Sequence, residues 1–201
     1  MTDLSGQSMT DLSRQKKTAR EAARARLSRL SQADFERIGG MIALRVFAHP
    51  FYRAAGSVFC FVGAGREIDT RPILTRALLD GKTLLTPRCE EKGVITARKI
   101  DSLSSLSPGR FGIPEPGADA PIWDRAAIDL ILVPCLAAAP SGARLGRGGG
   151  YYDRYLADHH GNALILCPEA LLFDQLPEDA WDKRAMGVIT EKRTLNQSPR
   201  T

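Results

Sequence analysis

No stretch of this 201-residue sequence approaches the ~20 consecutive apolar residues that span a bilayer, and its polar N-terminus has no signal-peptide apolar core. A cytoplasmic protein without membrane attachment is expected. Cysteine is sparse: Cys60, Cys89, Cys135 and Cys167 are scattered, with no C-x-x-C and no metal-like His/Cys spacing. Reduced thiols are therefore expected, not a disulfide framework or a zinc site. His159 and His160 are neighbours, and adjacent positions cannot converge on one ligand as i and i+4 would, so they read as cations at a helix end. Aromatic residues make up 6% of the chain and are not interleaved among the basic ones, which argues against a single-strand nucleic-acid platform. The formal charge of +5 still fits an anionic partner. Both common phosphate signatures are missing as well: there is no Lys-Ser/Thr pair of a P-loop and no G-x-G-x-x-G turn.

What the chain does have is Arg144-Leu-Gly-Arg-Gly-Gly-Gly-Tyr-Tyr-Asp-Arg-Tyr155, reached from the apolar run Ile128–Pro134 through a linker of small residues. Gly146 and Gly148 to Gly150 add no apolar area and lose much conformational entropy on folding, so their use is in the backbone. A glycine turn between a strand and a helix leaves successive N–H groups free to point at an anion, and a helix starting near Tyr151 would add its positive end. Arg144 and Arg147 supply forked cations suited to phosphate oxygens. Asp153, in the first turn of that helix, can hold a magnesium ion bridging to the same phosphates. A flexible linker would carry Ser in place of Arg, Tyr and Asp.

The run Leu145–Asp153 resembles the signature of the 5-formyltetrahydrofolate cyclo-ligase family, also called methenyltetrahydrofolate synthetase. Read in order, the rest of the chain extends that resemblance. Met1–Ser5 recurs as Met9–Ser13, and residues 1–9 are expected to be a disordered extension before a domain spanning 10–192. Leu12–Leu30 reads as a helix on which Lys16, Arg20 and Arg24 stack at i, i+4 and i+8. The charges alone leave a solvated face and an anion site equally open. Lys16 and Arg20 match a family pair that contacts ATP.

Ser31–Asp34 looks like a capping box opening a second helix that His49-Pro50 stops. Gly56–Val62 reads as a strand buried on both faces, followed by a loop and a helix over 71–79. Glu67 lies in that loop, and the dipole of the following helix would account for it without a ligand. Glu67-Ile-Asp-Thr70 resembles the family's Glu-Ile-x-Thr, which implies a folate contact for Glu67. Strands are expected over 82–86, halted by Pro87, and over 94–98, with Phe111–Pro116 extended. Phe111 could stack on a pterin ring or plug the core, and its match to the family's pocket element implies the former. A helix to about His159, strands at 163–167 and 187–190, and a disordered basic tail over 193–201 complete the reading. Strands alternating with helices recommend a single α/β domain, with a largely parallel sheet and helices on both faces.

The resemblance implies an ATP- and magnesium-dependent ligase that converts 5-formyltetrahydrofolate to 5,10-methenyltetrahydrofolate. ATP would meet Lys16, Arg20, Arg144, Leu145, Gly146, Arg147, Gly148, Gly149, Gly150, Tyr151 and Tyr152. The folate side would use Glu67, Phe111, Arg147, Tyr151 and Tyr152. Magnesium would sit on Asp153 with Asp182, the latter matching a family Asp by its spacing from Pro177. A monomer with no nucleic-acid or membrane partner is expected. The chain departs from the family at Cys135–Ala139, which lacks an aromatic and a carboxylate, at Pro168–Leu171, and at Met186. These departures motivate an alternative: a divergent paralogue that binds ATP but has lost folate turnover or uses another formylated amine.

Overall fold

The computed structural model describes residues 4–157, 159 and 161–197, with the backbone alone for residues 4–10, Lys92 and Phe111. Five helices, Leu4–Leu27 (α1), Gln32–Ala48 (α2), Pro50–Ala54 (α3), Arg71–Leu79 (α4) and Tyr151–Leu156 (α5), accompany the strands. The first six strands are Ser57–Cys60 (β1), Thr83–Cys89 (β2), Ile95–Ile100 (β3), Ser107–Pro108 (β4), Pro114–Glu115 (β5) and Leu130–Val133 (β6). Ala137–Ala138 (β7), Arg144–Leu145 (β8), Asn162–Leu166 (β9), Gly187–Ile189 (β10) and Thr194–Asn196 (β11) follow. The main sheet has the order β11-β10-β9-β6-β1-β2-β3, and β4/β5 and β7/β8 form separate two-stranded ribbons. β1, β2, β6, β9 and β10 run parallel, and β3 and β11 close the two edges antiparallel. The largely parallel sheet read from the sequence is present.

Alternation along the strands divides the core in two, because successive side chains point to opposite faces. Phe59, Ile131, Val133, Ile165 and Val188 pack with Ala23 and Leu27 of α1 and with Tyr155 and Leu156 of α5. Val58, Cys60, Leu130, Leu132 and Leu164 pack with Ile38, Ile42 and Val46 of α2 and with Ile73 and Leu74 of α4. Helices thus cover both faces. The capping box at Ser31 is formed: its hydroxyl accepts from the Asp34 N–H, and the Asp34 carboxylate accepts from the Ser31 N–H. His49-Pro50 ends α2 and also opens α3, with His49 Nδ1 accepting from the Phe51 N–H. No helix among the described residues is long and apolar enough to cross a membrane.

Several boundaries differ from the reading of the sequence, each for a physical reason. α1 begins at Leu4, inside the segment read as a disordered extension, and residues 1–3 lie outside the described residues. The segment read as a basic tail carries β11, which pairs with β10, while residues 198–201 lie outside the described ones. β2 continues through Pro87. Ala97 accepts from the Trp123 N–H and Lys99 donates to the Pro121 carbonyl, so these two residues of β3 turn their backbone groups away from β2. Pro87, opposite Ala97, therefore points its nitrogen away from β3, and pairing with β1 has already ended at Leu85. The missing N–H leaves no gap in the ladder. Arg110–Gly112 makes one 3-10 turn before the extended Pro114–Glu115. The helix expected to reach His159 is only six residues long, and His160 lies outside the described residues. Cys60 and Cys167 are buried thiols, Cys89 and Cys135 half-buried ones, and all four are free.

At the end of the sheet where β6 begins, the Asp129 carboxylate accepts from the Gly56 N–H (2.9 Å), the Ser57 N–H (2.8 Å) and the Ser57 hydroxyl (3.0 Å). The Ser57 backbone donor is the largest influence holding its pKa below the ordinary carboxylate value. A depressed folded pKa means that the contribution is present above the unfolded pKa and is lost as pH falls through the folded one. Asp129→Ala should lower unfolding stability by about 1 kcal/mol at neutral pH, a low figure for charge-assisted bonds because the carboxylate is exposed. The difference from wild type should shrink on acidification, which chemical denaturation at pH 7 and below pH 4 would check.

Candidate active site

β1 has β2 on one side and β6 on the other, so the strand order reverses between β1 and β6. Open α/β sheets offer a crevice outside the carboxyl ends of the strands at such a point. Here a cleft lies there, lined by Phe61 beyond β1, Pro134 and Cys135 beyond β6, and Glu67, Arg147 and Leu171 from the surrounding loops. Glu67 comes from the β1–α4 loop and Arg147 from the glycine turn. The Arg147 guanidinium pairs with Glu67 Oε1 at 3.0 Å.

The chain reaches the glycine turn not directly from β6 but through the β7/β8 ribbon, where Ala137 pairs with Leu145 and Ala138 with Arg144. The ribbon buries Leu145 in the core and holds the Arg144 side chain at 4% exposure. Arg144 Nη2 pairs with Asp153 Oδ1 at 2.7 Å, while its buried Nε has no hydrogen-bond partner among the described residues. A buried unmade donor on a cation calls for an acceptor, and a phosphate oxygen is a chemically suitable one. Gly148 (φ 111°) and Gly150 (φ 65°) adopt left-handed conformations that side-chain-bearing residues rarely take. α5 is too short to bring the strong helix dipole expected from the sequence, so positive charge at the turn rests on side chains.

Two of those side chains arrive from α1. Arg20 Nε donates to the Gly146 carbonyl at 3.1 Å, and Lys16 Nζ meets Asp182 Oδ2 at 2.6 Å. The i, i+4 spacing places both on one face of α1, which lies across the glycine turn and the Glu178–Arg184 loop. Four contacts therefore connect residues singled out in the sequence: Lys16 with Asp182, Arg20 with Gly146, Arg147 with Glu67, and Arg144 with Asp153. The two aspartates do not belong to a ready-made metal cluster. Among the described residues no group of three or more His, Cys, Asp or Glu side chains could hold an ion. Tyr152 packs its ring 6.5 Å from that of Phe59, and its buried hydroxyl lacks a partner among the described residues. Burial raises the phenol pKa well above its ordinary value. The Phe111 side chain lies outside the described ones.

Two arginines that the sequence did not single out also shape the site. Arg154 donates to the carbonyls of Gly93 and Gly149, both at 2.7 Å through Nη2, tying the glycine turn to the β2–β3 hairpin. Arg66 donates to the carbonyls of Leu27 (2.7 Å) and Leu30 (2.9 Å), fixing the end of α1 beside the Glu67 loop. Gly93 lies 61 positions from Arg154, and no local pattern links them.

The model of the 5-formyltetrahydrofolate cyclo-ligase family matches residues 12–191. The chain belongs to this family. Among family members, the 5-formyltetrahydrofolate cyclo-ligase of Mycolicibacterium smegmatis is 32% identical over 180 residues, covering 84% of this chain and 90% of that protein. The enzyme of the same name from Escherichia coli is 27% identical over 176 residues, covering 85% of this chain and 97% of its own. The solved structure of Aquifex aeolicus 5,10-methenyltetrahydrofolate synthetase superposes with a TM-score of 0.81 at 28% identity, covering 92% of this chain and 95% of that one. The overall fold described above is shared with that synthetase.

Proposed function

We propose that this chain is an ATP-dependent ligase that converts 5-formyltetrahydrofolate to 5,10-methenyltetrahydrofolate, releasing ADP and phosphate. The observation that carries this reading is the Arg147–Glu67 pair, which joins the glycine turn to the substrate-side loop over one crevice. A formamide oxygen is a poor leaving group. Attack of that oxygen on the γ-phosphorus expels ADP and makes the oxygen part of a phosphate. N10 then closes the ring onto the formyl carbon, phosphate departs with the former formyl oxygen, and the N10 proton is lost. Such a transfer depends on positioning and charge neutralisation.

Lys16, Arg20, Arg144 and Arg147 hold the phosphates, and the N–H groups of Gly146 to Gly150 supply directed donors. Glu67, Arg147 and Tyr151 line the folate side. Tyr152, with its ring on Phe59, supports the wall. Magnesium is held by one or two carboxylates together with phosphate oxygens and water. Asp153 Oδ2 accepts no hydrogen bond among the described residues and fits that role. Asp182, whose Oδ2 takes Lys16 and the Asp179 N–H, would contribute Oδ1. When bound, the ion would neutralise charge on the transferring phosphate.

The cyclo-ligase reading is favoured over a divergent paralogue by the places the departures occupy. Ala138 and Ala139 are fully buried in and beside the ribbon and do not line the crevice, so small side chains there alter packing. Pro168 and Leu171 do line it, as an apolar wall. Lys16 and Arg20 of the α1 basic face point to the Asp182 loop and the glycine turn, which favours a small phosphate ligand at that turn over a nucleic-acid strand along the helix. ADP release tests the reading: it should require 5-formyltetrahydrofolate and match folate consumed one for one. ADP release that is indifferent to folate would refute it.

A further inference from the structure

α1 serves as a ruler along the site. Leu27 lines the crevice, Arg20 touches the glycine turn ~10 Å back along the helix, and Lys16 meets Asp182 ~6 Å further on. The order is crevice, glycine turn, Asp182 loop. A nucleotide whose terminal phosphate faces the crevice and whose phosphates lie on the glycine turn sends its base towards the third station.

That station carries Trp181, 79% exposed, an unusual state for the largest apolar side chain. Its loop is nonetheless held in place. Arg184 pairs with Glu178 through two bonds of 2.6 and 2.8 Å. Asp182 accepts from the Asp179 N–H at 2.8 Å and donates its own N–H to the Asp179 carbonyl at 3.1 Å, and its carboxylate is tethered to Lys16. A fixed loop thus presents a bare aromatic face beside a residue of the phosphate end.

We propose that Trp181 is the base platform of the nucleotide site, its indole stacking on the adenine ring of ATP. The inference rests on the ATP-dependent reading above and adds the part of the ligand that the glycine turn leaves unrecognised. Flat apolar rings bind bases by stacking without hydrogen-bond readout.

Trp123 and Trp181 are the only two tryptophans, so a Trp123→Phe enzyme reports on Trp181 alone. Magnesium-ATP should quench its emission in the absence of folate, and inorganic triphosphate, which has no base, should not. In otherwise wild-type enzyme, Trp181→Ala should raise the KM for ATP roughly tenfold and leave the KM for folate unchanged, with Trp181→Phe close to wild type. ATP-dependent turnover with unquenched Trp181 emission would overturn the inference alone. A KM change falling on folate would also overturn it, moving Trp181 to the other substrate. Absence of both ATP binding and turnover would bring down the function reading and this inference together.

Discussion

Arg144→Ala should lower kcat/KM about a thousandfold, the scale set by removing a pre-placed donor or arginine from a charged transition state. Arg144 is nearly inaccessible, held to Asp153 through Nη2, and its Nε has no partner among the described residues, so its geometry is set before any phosphate arrives. Its loss leaves Asp153 unpaired but 37% exposed, and water can solvate that carboxylate. The stability penalty should accordingly be modest, about 2 kcal/mol. Arg144→Lys keeps the charge and loses the fork, and should fall between the two. Steady-state kinetics with a thermal melt of each variant separates catalytic from structural loss. A melt shifted as expected with kcat/KM within tenfold of wild type would remove Arg144 from the phosphate site.

Asp153→Asn inverts that balance. It should abolish magnesium-dependent turnover and also destabilise the fold by about 3 kcal/mol, because the partner left behind is a guanidinium with almost no access to water. ATP supplies phosphate oxygens near the stranded cation. It should therefore raise the melting temperature of Asp153→Asn by more than it raises that of wild type, while turnover stays absent. Normal turnover by this variant at ordinary magnesium concentrations would contradict the metal assignment.

The sheet was legible in the sequence because its central strands are short, continuous apolar runs, as strands buried on both faces must be. Ser57–Cys60 and Leu130–Val133 are buried at every position. The capping box at Ser31 was legible because capping is local chemistry. Pro87 misled because only the neighbouring strand decides whether a missing N–H matters, and the turn of β3 backbone groups towards the Pro121–Trp123 segment is a long-range fact. The β7/β8 ribbon was hidden because Ala137 and Ala138 resemble a small-residue linker, and their burial comes from what packs around them.

Within the site, the glycine turn was visible from composition, and Lys16 with Arg20 from their match to the family pair, since helical spacing alone left a solvated face equally open. Their partners were not visible as pairs. Lys16 and Asp182 are 166 positions apart, and Arg20 and Gly146 are 126 apart. Asp153, from its place beyond the glycines, and Asp182, from the family resemblance, were read as magnesium ligands. Each is already held by a cation, a pairing that the sequence does not reveal.

The central claim is that one crevice binds ATP and 5-formyltetrahydrofolate and joins N10 to the formyl carbon. Absorbance in the methenyl-folate band tests it most directly, using purified protein, 5-formyltetrahydrofolate, ATP and magnesium, with controls lacking ATP or magnesium. The account predicts a rise that requires both and is lost in Arg144→Ala. A flat trace from wild-type protein, with ATP binding confirmed separately, would contradict it and direct the search to other formylated amines.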